Sequence, residues 1–180
     1  MQRKSLSVAV ICGLLPMSGV MAQTATQDIN ITATVSGLCT VNGLATGTPV
    51  GSAVIPTPSG DVDVTPITPT GSPFANVVCN GPSTLLLTSL NGGVLNTSPA
   101  SGFDNIINYT ASATWNSVTA TVNTGLNPVA SLGGNESGTP APVATAGAGS
   151  LSVTITPIVN AQPLIAGSYS DTLRVTLTPQ

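Results

Sequence analysis

Apolar and polar residues alternate one for one in several short stretches of this chain. That is the period of a strand with one face against a core and one in water. The clearest stretch runs from Ile107 to Trp115: Ile107, Tyr109, Ala111, Ala113 and Trp115 share one face, and Asn108, Thr110, Ser112 and Thr114 the other. Ser117–Asn123 continues with Val118, Ala120 and Val122 inward, and Leu151–Ile155 repeats the pattern with Leu151, Val153 and Ile155. The end of the chain, Tyr169–Leu177, alternates over its whole length. Phe74–Asn80 and Thr84–Leu90 are rich in strand formers, with Gly81-Pro82 between them as a turn signal. Asn91-Gly92-Gly93 predicts a further turn. Past the first residues no ten-residue stretch repeats at the helical period, so helices are not expected.

Two regions lack a period. Ala45–Ser72 is rich in Pro, Gly and Thr, with room for a short edge strand at Asp61–Val64. Thr124–Ser150 is built of small residues and reads as a loop or an arm. Seven or so short antiparallel strands with long surface loops predict an all-β fold, an immunoglobulin-like antiparallel β-sandwich, with a jelly roll as the nearest competitor.

The first residues read as an export signal. Arg3 and Lys4 precede the apolar run Leu6–Leu15, and Val20-Met21-Ala22 supplies small residues for cleavage after Ala22. The run is too short to span a bilayer, and no later stretch is long and apolar enough, so no transmembrane segment is expected after signal removal. Cys12 does not suit a lipoprotein site, because Ile11 stands where a small residue is needed. The expected organisation is a signal peptide at 1–22, an N-terminal extension at 23–36 and a β-sandwich domain at 37–180. In that extension Ile29, Ile31, Ala33 and Val35 alternate with Asn30, Thr32, Thr34 and Ser36. No tight turn joins this stretch to the residues after it. It is either the first strand of its own sheet or a strand meant for another molecule.

Charge narrows the chemistry. Without the signal the chain keeps Asp28, Asp61, Asp63, Asp104, Glu136 and Asp171 against a single cation, Arg174. One cation cannot neutralise a row of phosphates, which excludes nucleic acid as a partner and disfavours anionic membrane surfaces. Cys39 and Cys79 remain in an exported chain and are expected to form a disulfide, contributing roughly 4 kcal/mol in the chain-entropy account. There is no histidine, and no lysine beyond Lys4. A serine nucleophile would lack its customary base and a phosphate loop its lysine. No catalytic, cofactor-binding or metal-binding residues are expected, and the chain does not read as an enzyme. Asp61 and Asp63, two apart, suit a solvated strand edge better than a calcium site or a glycosidase pair. Asp171 falls on the apolar face of Tyr169, Leu173 and Val175, as a rim carboxylate bonded to turn backbone would. Asn-x-Ser/Thr sequons at Asn30, Asn96, Asn108 and Asn135 are what chance produces in an Asn- and Thr-rich chain.

Three stretches together point to a family: the alternating extension running into Ser36-Gly37-Leu38-Cys39-Thr40-Val41, then Phe74–Asn80 with the second cysteine, then Ala166–Pro179. The chain resembles the spore coat U domain and the related subunits of archaic chaperone–usher pili. The most specific piece is Gly167-Ser168-Tyr169-Ser170-Asp171, close to that family's Gly-x-Tyr-x-Asp ending. The middle of the chain departs from the family pattern. The resemblance implies a sandwich that lacks one strand and is completed by donor-strand exchange, first by a periplasmic chaperone, then by a neighbouring subunit at an outer-membrane usher. It implies a cell-surface or extracellular fibre of like subunits. Carried onto this chain, the donor strand holds Ile29, Ile31, Ala33 and Val35, and the acceptor groove lies beside Tyr169, Leu173, Val175 and Leu177. The rival expectation is a self-contained secreted binding module or adhesin.

Overall fold

The computed structural model describes residues 27, 29–45, 51–71, 73–98, 101–126 and 134–180. The chain divides into two units, Met1–Thr34 and Val35–Gln180. The signal-peptide expectation for residues 1–22 lies outside the described residues. Within the second unit the fold is an all-β antiparallel sandwich.

One sheet has the order β11–β6–β7, formed by Ser152–Pro157, Tyr109–Trp115 and Val118–Asn123. The strands β6 and β7 form a hairpin whose two turn residues, Asn116 and Ser117, both have positive φ, 49° and 64°. That turn matches the right-handed twist of the flanking strands. The facing sheet centres on β3 (Ser83–Ser89), with β12 (Leu173–Pro179) on one side and β8 (Glu136–Ser137) and β9 (Ala141–Val143) on the other. β1 (Cys39–Val41), β2 (Val77–Cys79) and β10 (Gly147–Gly149) make a third small sheet, and β4 (Val94–Leu95) pairs with β5 (Ile106–Ile107).

Alternation places the core as the sequence predicts. Leu85 and Leu87 of β3 are fully buried with Ala111, Ala113 and Trp115 of β6 and Ala120 and Val122 of β7. The cysteines, Val77 and Val143 join the same cluster. A second, smaller cluster holds Val62, Ile107 and Leu164, with Tyr169 packed against it.

Two expectations are corrected here. The stretch Thr124–Ser150 is not simply a loop, for its described part contributes β8, β9 and β10. Its strands occupy edges that β3 and β2 would otherwise leave open. Ser137 pairs with Thr88 and Ala141 with Leu85, so Gly138, Thr139 and Pro140 stand opposite Leu86 and Leu87 and form a bulge. At Gly138 the amide donates to the Leu87 carbonyl, and any Cβ would fall on the Thr121 carbonyl of β7, so only glycine fits. Asp61–Val64 is not a strand either. Val62 turns into the second cluster while Asp63 accepts from the Thr65 amide and hydroxyl at 2.9 and 2.7 Å, an Asx-type turn in place of a ladder.

Candidate functional site

The last strand, β12, is a seven-residue edge strand. It pairs with β3 along its full length, Leu173 opposite Ser89 through Pro179 opposite Ser83. Among the described residues nothing pairs with its other edge. The ladder fixes which way each backbone group points. Just beyond the two ends of β12, the Leu90 amide donates to the Thr172 carbonyl and the Gln180 amide to the Pro82 carbonyl. In an antiparallel pair such hydrogen-bonded residues alternate with non-bonded ones. Arg174, Thr176 and Thr178 therefore aim their N–H and C=O groups at β3, and Leu173, Val175 and Leu177 aim theirs at the open edge. Pro179, which has no N–H, ends that edge.

The same three residues carry the apolar face. Leu173, Val175 and Leu177 are half-buried against the main core, while their pairing neighbours on β3, Ser89, Leu87 and Leu85, are 0% exposed. By contrast the outer edge of β11 is tied at Ile155, which exchanges amide–carbonyl bonds of 2.8 Å with Ile67.

A carboxylate holds the start of β12 in place. Asp171 Oδ2 accepts from the Tyr109 hydroxyl and from Ser89 Oγ, both at 2.6 Å. Its Oδ1 accepts from the Asn91 amide at 3.0 Å and the Thr172 amide at 2.7 Å. Ser89 Oγ in turn accepts from the Gly93 amide at 3.0 Å. One side chain thus joins β12 and β3 in one sheet to β6 in the other. This is the rim carboxylate the sequence predicts, bonded to turn backbone and to two hydroxyls besides. Burial first, and then the bond to Asp171, hold the Tyr109 phenol far above its ordinary pKa, so it remains a donor.

Tyr169 lies outside β12. β12 begins at Leu173, and the backbone between follows the Asp171 clasp instead of continuing the strand. The Tyr169 hydroxyl shares its proton between the Ile165 and Asp104 carbonyls at 2.9 and 3.0 Å, and the ring packs on the second cluster. Desolvation raises its pKa. Gly167, at φ 150°, passes so close to Asn96 that a Cβ would stand 2.5 Å from Asn96 Nδ2. Asn96 is itself 4% exposed, which closes that sequon to modification.

The expected donor residues do not form a strand within this single chain. Residues 29–38 carry no ladder, and Ile29, Ile31 and Val35 are 83%, 91% and 82% exposed, with Ala33 exposed as well. A lone strand has no partner for its N–H and C=O groups, so alternation by itself does not order it. At its root the chain is fastened. Leu38 N donates to Asn80 Oδ1 at 2.7 Å, Asn80 Nδ2 donates to the Ser36 carbonyl at 2.9 Å, and the Asn80 amide donates to the Leu38 carbonyl at 3.0 Å. The next residue, Cys39, is bonded to Cys79 as expected. Sequence reasoning assigns no role to Asn80, Ser89 or Tyr109 at these points. Asn80 stands in the Phe74–Asn80 stretch beside the cysteine, the one signal that could have found it.

Two further carboxylates, Asp63 and Asp104, are occupied locally. Hydrogen bonds from Thr65 hold Asp63 below its ordinary pKa, and Asp104 Oδ2 accepts from the Gln162 amide at 2.9 Å. Among the described residues no three of His, Cys, Asp and Glu come together, and no helix is long and apolar enough to cross a membrane. An open depression of about 260 Å³ beside Phe74 and Leu151 is lined by residues 68–69, 73–75 and 150–153, none of them charged. No family model, curated protein or solved structure matches the chain.

Replacing Asp171 by Ala orphans two buried hydroxyl donors. The expected loss is roughly 2–6 kcal/mol of folding stability, from about 1–3 kcal/mol per unsatisfied buried group, read by denaturant titration. The Tyr109 shift gives a pH dependence of definite sign. Its folded pKa lies above the unfolded value near 10, so its contribution is complete below about pH 10 and is lost as pH rises above it. Stability should fall there by about 1.4 kcal/mol per pH unit for this group. Tyr109→Phe should remove that share of the slope and leave the smaller part from Tyr169.

Proposed function

We propose that this chain is a non-catalytic structural subunit of an extracellular fibre or coat, exported through the periplasm and assembled by strand donation. Residues 27–36 of one copy complete the open edge of β12 in the next. Ile29, Ile31, Ala33 and Val35 enter on the core side, and a periplasmic chaperone occupies the edge until an outer-membrane usher releases it.

The observation that carries this reading is the pairing of two unfinished parts. Leu173, Val175 and Leu177 offer half-buried side chains together with outward-aimed backbone groups, and the extension offers exposed apolar residues at the same two-residue period. Fully burying Ile29, Ile31 or Val35 would contribute roughly 1.5–3 kcal/mol each before the cost of ordering the segment. Strand addition would supply the main-chain hydrogen bonds along the edge, and alternate side chains the specificity. Asp28, the one charge in the segment, precedes the apolar positions and can stay in water.

Expression of Gln23–Gln180 with and without residues 23–36 tests the proposal. Ladders of heat-sensitive oligomers on denaturing gels are expected only with the extension present, and Ile31→Asp should abolish them. A monomer that is unaffected by loss of the extension would favour a self-contained binding module instead.

A further inference from the structure

We infer that the Cys39–Cys79 bridge is a force shunt. Tension arriving through the N-terminal extension crosses the disulfide into β2 and on to β3 and β12, bypassing residues 40–78. The inference rests on the strand-donation reading, because that reading makes the extension the link between subunits.

The route can be followed residue by residue. The extension meets the sandwich at Ser36–Cys39, where Ser36 and Leu38 are bonded to Asn80 and Cys39 to Cys79. All of these attachments land on two consecutive residues. From Asn80 only Gly81 and Pro82 intervene before β3, the strand paired with β12. The covalent route forward from Cys39 is far weaker. β1 pairs with β2 over three residues, Cys39–Val41 with Val77–Cys79. Between Val41 and β2 the described chain forms no strand and is held to the rest of the sandwich at separate points: Ile67 to Ile155, the Gly60 carbonyl to the Leu164 amide, the Val62 amide to Asn160 Oδ1, the Phe74 carbonyl to the Leu151 amide, and the Val62 side chain in the second cluster. Such a segment resists tension through a three-residue ladder and scattered single attachments, which can be released one after another. The bridge, at a sequence separation of 40, takes it out of the path.

Geometry sets the direction of pull. Gly37 lies beside the far end of β12, where a Cβ would stand 3.1 Å from the Pro179 Cβ. A strand entering antiparallel to β12 comes from its preceding subunit at the Leu173 end. Tension therefore runs lengthwise between Leu173 and the root at Gly37, shearing β12 against β3, the strand that the disulfide reaches by the shortest path.

Single-molecule pulling on the intact chain tests this, with azide-bearing residues in place of the exposed Thr34 and Arg174 as handles. The oxidised chain should extend without an early step until the sandwich ruptures. Cys39→Ala/Cys79→Ala should show an added step at lower force, releasing about 130–140 Å of chain for the bridged separation of 40 residues. Should the double variant fail to fold, the oxidised wild-type chain held below its rupture force and then exposed to a phosphine reductant should lengthen by the same amount. Rupture of the reduced chain in one step at the oxidised force, or no lengthening when the held chain is reduced below that force, would overturn the inference. Absence of oligomer ladders would instead remove the strand-donation reading, and the pulling result on the single chain would still stand by itself.

Discussion

Leu173, Val175 and Leu177 meet two demands at once. Their side chains lie on the core face of the sandwich, and their N–H and C=O groups point away from β3 along an edge with no strand beside it. A polar row of backbone groups next to apolar side chains is a template for another strand, and proteins ordinarily blunt such an edge with charge, a bulge, proline or a covering segment. In β12 the only charge, Arg174, has its backbone turned toward β3, and the only proline stands at the last position. The edge is left able to accept a partner over Leu173–Leu177.

The rest of the architecture is arranged around that asymmetry. On the opposite side of β3, β8 and β9 close the sheet, with the Gly138 bulge letting the segment lie against β7. At the start of β12, Asp171 gathers Tyr109, Ser89 and two backbone amides, so the edge strand is fixed to both sheets before anything joins it. At the end of β12, Gly37 and the Asn80 bonds fasten the root of the extension. The open edge of β12 and the root of the extension thus belong to one continuous piece of structure, built on β2, β3 and β12.

Strands with clean alternation were legible in the sequence. β3, β6, β7 and β11 all appear within a residue or two of where Leu85 and Leu87, Tyr109 to Trp115, Val118 to Val122, and Val153 and Ile155 place them. β8, β9 and β10 were not legible, because Gly, Ala, Pro and Thr carry no alternation and those strands form by filling the spare edges of β3 and β2. At Tyr169–Leu177 the alternation is real, but a strand over its first part competes with the Asp171 clasp, and four hydrogen bonds to one carboxylate win. That competition sends Tyr169 to a different cluster. The rim role of Asp171 could be read from its position on an apolar face, whereas its partners Ser89 and Tyr109, 82 and 62 residues away, could not. Nor could Asn80, whose side chain matters only once Ser36 and Leu38 are brought beside it. The Asn42-Gly43 pair is a missed signal that was present: its positive φ values of 51° and 81° turn Val41 back onto Leu44.

Amide hydrogen exchange along β12 addresses the central claim most directly. The measurement uses a chain carrying Ile31→Asp, so that its own extension cannot compete, with and without a synthetic peptide spanning residues 23–36. The account predicts that the amides of Leu173, Val175 and Leu177 exchange freely without peptide, while Arg174 and Thr176 are already protected by β3. Saturating peptide should slow those three by about tenfold or more. Slow exchange at Leu173, Val175 and Leu177 in the solitary chain, or no change on adding peptide, would contradict it.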